Sequence, residues 1–519
     1  MSETRHITKA AGIIGGATFL SRILGFVRDC IIARFFGTTG PAQAFVIAFT
    51  IPNMLRDLVG EGAANSAFVP VLTEYKTSHS KEEFWQLANV LLNVMLVVLM
   101  FISILGIIFA PFIIRVIAPG FISQPEKLNQ TIMLLRVMFP YVLLIGLTAY
   151  AAGVLNSLRH FSVPALGPCV MNIAMIVMPL IFYGAGHDSA MILAIAVLIG
   201  GVLQLLIQVP VLYKKGLRYN FKSGFRHPAV RQIGKLLAPR ALSASVYQLN
   251  IIVNRMCSSL TFIVGEGAPA ALYYANRLFQ FPLAIFGIAL AQAVLPTFSL
   301  QAQDKTLVKF KETLSFSLRL IFFVSLPAAF GLAILRIPIT QVLFQHGKFD
   351  AYSTGITATA VLFYSFGLIF YAGNNILNNS FYSLKDTRTP VKIAVAALLV
   401  NIFLNLALMW PMKVGGLALS TALSGALSFM LLLSFLRKKI GKINGRLIIK
   451  DFFKIFIASV IMGYVIFFLR ERFYFGLENA ATSVKVIRLI MLLTAGILAY
   501  VFSAYILKIE QVKWILRKR

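Results

Sequence analysis

Arginine side chains occur inside apolar segments of this chain, where a charge is costly. A charged side chain at the centre of a bilayer costs about 2.5–3.5 kcal/mol on insertion scales. The segment FLSRILGFVRDCIIARFFG alone carries three arginines. Six arginines share such a placement: Arg22, Arg28, Arg56, Arg240, Arg255 and Arg277. A seventh, Arg34, lies near a segment end, where its guanidinium can reach water. The six must therefore pair with acids, face water or bind an anion.

Acidic partners for these arginines are scarce. Only Asp29, Asp57 and Glu61 are acidic within the same segments. Asp29 lies seven residues after Arg22, which places both on one helix face. A proton relay would need more carboxylates, whereas the planar guanidinium fork matches phosphate and carboxylate groups. We therefore expect four arginines to contact an anionic ligand, with Asp29 and Glu61 supporting them: Arg22, Arg28, Arg56 and Arg277.

Glycine and proline accompany these arginines. Gly25 lies between Arg22 and Arg28, Pro52 precedes Arg56, and Pro282 follows Arg277. Gly60 and Gly62 follow Arg56 in the same segment. Interrupted helices expose backbone N–H groups and can bend, which suits a cavity that opens. The alternative is that both residue types are simply common in membrane helices.

The composition indicates an all-α polytopic membrane protein. The 519 residues are 59% hydrophobic and 13% charged, with a mean hydropathy of +0.83. A soluble domain is about half apolar and about a quarter charged. Runs long enough to span a bilayer predict fourteen transmembrane helices, at 10–36, 41–73, 85–117, 130–157, 163–185, 189–213, 232–264, 268–300, 307–335, 352–382, 389–411, 414–436, 451–470 and 485–507.

Charge placement predicts the orientation of the chain and argues against nucleic acid as a partner. The net charge is +30, but the basic residues outside the spans fall in short loops. The segments 214–235 and 437–454 and the C-terminal KWILRKR are strongly basic, whereas 37–43, 184–189 and 265–270 carry almost no Lys or Arg. The positive-inside rule then predicts that both termini are cytoplasmic. The three cysteines lie in apolar segments without metal-ligand spacing.

The sequence also repeats itself. Ser157-Leu158-Arg159 with Pro164 returns 226 residues later as Ser383-Leu384-Lys385 with Pro390. The shift superposes spans 1–6 on spans 7–12, an even number of spans away, which predicts a parallel repeat of two six-helix lobes. The predicted domains are an N-terminal lobe (1–214), a C-terminal lobe (215–438) and a C-terminal helix pair with a basic tail (439–519). Two lobes around a cavity are typical of a carrier that alternates access.

Several motifs resemble the MurJ/MviN family of bacterial lipid II flippases. They are SRILGFVRD, IPNMLRDLVGEGAANSAFVPVLTEY, APGF, LLRVMFPYVLL and YYANRLFQFP. The resemblance implies a multi-pass protein of the bacterial inner membrane, not an enzyme, that flips lipid II. It implies that Arg22, Arg28 and Arg277 are cavity arginines for the diphosphate, that Arg56 matches an arginine of span 2, and that spans 13 and 14 form a groove for the lipid tail. The resemblance also implies membrane lipids and other cell-wall synthesis proteins as further partners.

The chain departs from the family pattern at polar positions. Some members carry acids where this chain has Gln43, Asn276 and Gln280. Others have a sodium site with carboxylates, for which the comparable residues here are amides: Asn254, Asn374 and Asn378. We expect helix–helix hydrogen bonding from these asparagines. No P-loop motif and no cofactor are predicted, so the energy would come from membrane potential, a monovalent cation gradient or product removal.

Three other functions are weighed against this interpretation. A flippase for another polyprenyl-diphosphate-linked oligosaccharide, of O-antigen or capsule type, would need nearly the same arginines. A multidrug cation antiporter of the same superfamily needs acidic or aromatic cavity walls, and an arginine surplus repels cations. An enzyme acting on lipid-linked sugar lacks support, because no Asp-rich metal motif or catalytic carboxylate pair is present.

Overall fold

The computed structural model describes residues 3–58, 67–183, 189–221, 224, 227–304, 306–474 and 480–512, without the side chains of 3–11, 189 and 238–244. Within these residues the regular structure is helical. In the described part of the chain, ten helical segments are long and apolar enough to cross a membrane. One of them covers two predicted spans, so the ten account for eleven of the fourteen. The other three predicted spans, at 10–36, 41–73 and 232–264, do not correspond to any of these ten segments.

The chain forms two compact units, Met1–Leu260 and Thr261–Arg519. The helices of the first unit are α1 (Glu3–Phe36), α2 (Gly40–Ala48), α3 (Thr50–Leu55), α4 (Val69–Ser78), α5 (Lys81–Ile117), α6 (Pro125–Met138), α7 (Tyr141–Ser157), α8 (Ser162–Phe182), α9 (Ser189–Leu206), α10 (Val209–Lys215) and α11 (Pro228–Ser259). A 3-10 turn at Pro119–Phe121 follows α5.

The second unit continues with α12 (Thr261–Val264), α13 (Ala268–Pro282), α14 (Ala289–Gln301), α15 (Val308–Ile334), α16 (Arg336–Phe344), α17 (Ala351–Ser383), α18 (Arg388–Ile440), α19 (Gly445–Phe473) and α20 (Thr482–Ile506). A π-helical stretch, Leu283–Ile288, joins α13 to α14. Lys413 interrupts α18 with φ 51° and ψ −132°, so this element is two helices. The predicted break between spans 11 and 12 is therefore confirmed.

Local sequence explains several helix ends. Ser80 starts α5 with a capping box, since its hydroxyl accepts from the Glu83 N–H at 3.2 Å and the Glu83 carboxylate accepts from the Ser80 N–H at 2.9 Å. Pro140 separates α6 from α7 within one predicted span, because proline lacks the N–H and crowds the preceding turn. The short helix α16 was not predicted as a separate element.

One helix ending occurs at two places that the predicted repeat would relate. α7 ends at Ser157 and α17 ends at Ser383, and the residues two further on, Arg159 and Lys385, have φ values of 59° and 58°. The His160 N–H donates to the Leu155 carbonyl at 2.8 Å. The equivalent bond, from the Asp386 N–H to the Phe381 carbonyl, is 2.9 Å. Few L residues adopt this left-handed conformation. The same helix ending therefore recurs 226 residues apart.

Each unit has its own apolar core. In the first, α7 packs on α5, and the buried Tyr150 hydroxyl donates to the Ala88 carbonyl at 2.7 Å. In the second, α15 contacts α17, α19 and α20, and Tyr500 donates to the Phe323 carbonyl at 2.6 Å. α11 packs on α4 and α5 of the first unit. The boundary between the two compact units therefore follows Leu260, whereas the sequence predicts a lobe boundary between residues 214 and 215.

Candidate functional site

Arg28 belongs to a polar network between α1 and α8. Ser21, Gly25 and Arg28 follow one another at helical spacing, so they share a face of α1. α8 packs against α1 and supplies Asn172 to that face. The Asn172 side-chain amide donates to the Ser21 carbonyl at 2.9 Å, and its oxygen accepts from Arg28 Nη1 at 3.0 Å.

Asp29 completes this network from the same helix. Its Oδ1 accepts from Arg28 Nε at 3.0 Å and from Nη2 at 2.8 Å, and the two side chains are 12% and 3% exposed. The sequence placed Asp29 on the face of Arg22, but the carboxylate pairs with its chain neighbour Arg28. These two bonds to one carboxylate fix the plane of the guanidinium. Arg28 is thus held in one orientation within an apolar helix.

Two further features of α1 bear on the network. An added Cβ at Gly25 would lie 3.6 Å from the Asn172 amide nitrogen, an ordinary van der Waals contact, so a methyl group would fit there. Arg22 is exposed and has no hydrogen bond or ion pair with the described residues. Because Asp29 neutralises Arg28, Arg22 gives this part of α1 a net positive charge.

Arg56 is paired in the same way as Arg28. Its guanidinium donates to the Asp57 carboxylate at 3.0 Å, and each side chain is 32% exposed. Pro52 is buried one turn earlier in α3. Asp57 therefore neutralises Arg56. Glu61, Gly60 and Gly62 lie outside the described residues.

In the second unit, Arg277 lies on α13 and contacts Tyr273. Its Nη2 donates to the tyrosine hydroxyl at 3.2 Å, and its guanidinium carbon lies 4.9 Å from the ring centroid. This cation–π contact holds the guanidinium without neutralising its charge. Asn276 and Gln280 are half-buried on the same helix, and Pro282 leads into the π-helical stretch.

The remaining polar candidates are mostly in helix contacts. Asn374 donates to the Gly425 carbonyl at 3.1 Å, which joins α17 to α18, and Asn378 is half-buried on α17. Asn254 belongs to α11 in the first unit, where it donates to the Asn250 side chain at 3.0 Å. Hydrogen bonding between helices is thus observed for Asn374. Groups of three or more His, Cys, Asp or Glu that could hold a metal are absent from the part of the chain that is described.

Three predicted polar residues remain: Gln43 in the second predicted span, and Arg240 and Arg255 in the seventh. Buried Gln43 accepts from Lys127 Nζ at 2.8 Å and donates to the Thr38 carbonyl at 3.0 Å. Arg255 is half-buried on α11. The side chain of Arg240 lies outside the described residues.

Sequence reasoning missed Asn172 and a second buried ion pair. Asn172 is an amide inside the apolar run of α8, and scanning such runs for single polar residues would have found it. Arg319 in α15 and Asp451 in α19 pair at 2.9 Å in the second unit. Arg319 lies in an apolar run and Asp451 lies within the basic segment 437–454, so their spacing along the chain did not connect them.

Comparison with known proteins places the chain in a family. The family described as "Lipid II flippase MurJ" matches residues 32–482. A probable lipid II flippase MurJ of Buchnera aphidicola subsp. Schizaphis graminum is 34% identical, over 97% of this chain and 98% of its own length. The lipid II flippase MurJ of Burkholderia cenocepacia is 35% identical over 84% of each chain. The chain belongs to the MurJ family of lipid II flippases.

Solved structures agree with this family assignment. An inward-closed structure of the lipid II flippase MurJ matches with a TM-score of 0.78 and 29% identity, over 95% of this chain and 98% of the other. An inward-facing multidrug transporter of the MATE family matches with a TM-score of 0.67 but 14% identity, over 81% and 94%. That second likeness concerns the fold alone. The MurJ family is thus similar to this chain in both sequence and fold.

Proposed function

We propose that the chain moves lipid II from the cytoplasmic to the periplasmic leaflet by alternating access. The observation that carries this proposal is the Arg28–Asp29–Asn172 network, a pre-positioned guanidinium inside an apolar helix of a MurJ-family chain. Lipid II combines a diphosphate, a polar head group and a long polyprenyl tail. A protein that moves it needs fixed cations where the surrounding medium offers none.

Four arginines bind the diphosphate in this proposal: Arg22, Arg28, Arg56 and Arg277. Arg28 and Arg56 are oriented by neighbouring carboxylates, and Arg277 is oriented by Tyr273. Orientation before binding lowers the rotamer entropy lost when the anion arrives. In this proposal Arg22 supplies attraction for the anion, while Arg28 and Arg56 supply directed N–H groups.

The proposed architecture is fourteen transmembrane helices, arranged as two six-helix lobes and a final pair, with both termini cytoplasmic. The common helix ending at Ser157 and Ser383 supports the repeat. α19 and α20 pack on each other and present exposed apolar side chains, which suits a groove for the polyprenyl tail. Membrane potential or a monovalent cation drives the cycle, and the amides Asn254, Asn374 and Asn378 remain the candidate sodium ligands.

The test is complementation of a strain depleted of its lipid II flippase. We expect the wild-type chain to restore growth, and Arg28→Ala and Arg277→Ala to fail at equal membrane levels. Arg34→Ala is the matched control, because Arg34 is an exposed arginine of the same helix as Arg28. Failure of a well-expressed wild-type chain would reject lipid II as the substrate and leave another polyprenyl-diphosphate-linked oligosaccharide. Growth with both alanine variants would reject the role of these arginines.

A further inference from the structure

Four arginines lie at one end of the second unit, where α15 and α19 finish and α16 and α20 begin. They are Arg336, Arg470, Arg472 and Arg488. The elements that carry them pack together, since α16 contacts α15 and α20, and α19 contacts α15 and α20. With cytoplasmic termini, this end faces the periplasm, where the other loops carry few basic residues. The cluster is therefore an exception to the charge bias of the chain.

Three of these arginines are fixed by backbone carbonyls. Arg336 donates to the Ala333 carbonyl at 2.8 Å and Arg470 to the Ile334 carbonyl at 3.1 Å, both at the end of α15. Arg488 donates to the Phe473 carbonyl at the end of α19. Such bonds satisfy carbonyls that a helix end leaves without a partner. They hold the guanidinium groups in place without cancelling their charge.

Few carboxylates accompany the cluster in the part of the chain that is described. Among the described residues Glu471 is the carboxylate paired with it, through Arg470. Burial, and then the charge of Arg470, lower the pKa of Arg336, so the two guanidinium groups repel each other. The Tyr474 side chain is 7% exposed, and its hydroxyl has no hydrogen-bond partner among the described residues. An anion at this end would relieve the repulsion between the arginines.

The adjoining helix surfaces are apolar. Phe467 and Phe468 are exposed on the last turns of α19, and Ile487 and Ile490 are exposed on the first turns of α20. Acyl chains cover such side chains, while a phosphate at the water boundary pairs with arginine. We propose that Arg336, Arg470, Arg472 and Arg488 bind the phosphate group of an anionic phospholipid, whose acyl chains lie on the exposed faces of α19 and α20.

The proposal is tested with the full chain in liposomes that contain photoactivatable phosphatidylglycerol or phosphatidylcholine at equal mole fraction. Adducts are mapped by mass spectrometry of peptides that cover 461–495. We expect phosphatidylglycerol to label this segment more than phosphatidylcholine. Each arginine changed to glutamine should lower that preference about fivefold, because one basic residue near an anionic lipid surface strengthens binding by about that factor. Arg472→Gln/Arg488→Gln should therefore nearly abolish it.

Controls separate binding from folding and from transport. Arg446→Gln, at the other end of α19, should leave the labelling of 461–495 unchanged. If the double variant does not fold, Arg472→Gln alone should still lower the preference, and Arg488→Lys should keep it. Equal labelling by both lipids in the wild type would overturn the proposal. So would displacement of phosphatidylglycerol by equimolar undecaprenyl diphosphate, which would assign the cluster to the polyprenyl carrier. Complementation is scored separately, so failure of the lipid site and failure of the flippase proposal are distinguishable.

Discussion

Arg28 shows what a single residue needs in order to bind an anion inside a membrane. Its guanidinium is held on one side by Asp29 and on the other by Asn172. The carboxylate offsets the cost of placing the charge in an apolar helix, and the amide orients the fork. Lysine could keep the charge, but it could not keep the two-sided contact, because an ammonium lacks the planar fork.

Asn172→Ala removes the acceptor of Arg28 and the donor to Ser21. We expect it to lower the free energy of unfolding by about 1.5–3 kcal/mol, as for hydrogen bonds to charged groups, and to impair transport even where the protein is stable. Thermal unfolding in detergent and complementation measure the two effects. Asn93→Ala is the control, because that amide donates to the Asn220 carbonyl, away from the arginines. Full transport by Asn172→Ala would contradict the positioning role.

Asp386 gives a pH prediction at a residue outside the membrane spans. Its carboxylate accepts from Lys439 at 2.7 Å and from the Thr389 N–H at 3.0 Å, and these bonds lower its pKa to about 2. Because the folded pKa is below the unfolded value near 3.8, the stabilisation is complete above about pH 4 and is lost as pH falls toward about 2. The stability difference between wild type and Asp386→Asn should shrink over that window. A difference independent of pH would contradict this assignment.

At the scale of elements, apolar runs were sufficient to place most helices. The predicted spans 307–335 and 485–507 correspond to α15 (Val308–Ile334) and α20 (Thr482–Ile506). Hydropathy fixes such spans because lipid selects apolar length. The break between α6 and α7 within one span was not predicted, nor was the short helix α16 between two spans, because packing and single prolines decide where these helices end. The Arg28–Asn172 contact joins residues 144 positions apart, and chain spacing alone carries no information on such a contact.

Close helix packing in α18 gives a prediction at this scale. Just after the interruption at Lys413, an added Cβ on Gly416 would lie 2.1 Å from the Leu408 carbonyl oxygen. Backbone cannot move aside as a side chain can, so Gly416→Ala should destabilise the protein by about 1–3 kcal/mol or more. Gly331→Ala and Gly355→Ala are matched controls, because nothing lies within 4 Å of a Cβ there. These should be neutral or stabilising by up to about 1 kcal/mol. Equal unfolding temperatures for Gly416→Ala and the controls would contradict the packing argument.

At the scale of the whole molecule, the second of the two units includes the terminal helix pair α19 and α20. Apolar contacts are not the only interactions that hold these two helices in place. Arg319 Nη1 on α15 donates to Asp451 on α19 at 2.9 Å and to Glu510, beyond α20, at 2.8 Å. Arg319 and Asp451 are 9% and 8% exposed, whereas Glu510 is 62% exposed. A buried ion pair fixes the position of α19 more narrowly than apolar packing does, because a shifted helix would leave both charges without partners.

Asp451→Asn should therefore be far more damaging than Glu510→Gln. Removing one partner of a buried pair costs about 3–5 kcal/mol, while an exposed partner contributes about 0–1 kcal/mol. Replacing both buried charges, as in Arg319→Met/Asp451→Leu, should recover most of the stability, because the remaining charge is no longer stranded. Thermal unfolding of the four proteins forms the comparison. If the double variant is stable but fails complementation, the ion pair serves the position of the helix pair in transport. If it is stable and fully active, the pair serves folding alone, and apolar contacts suffice to position α19 and α20.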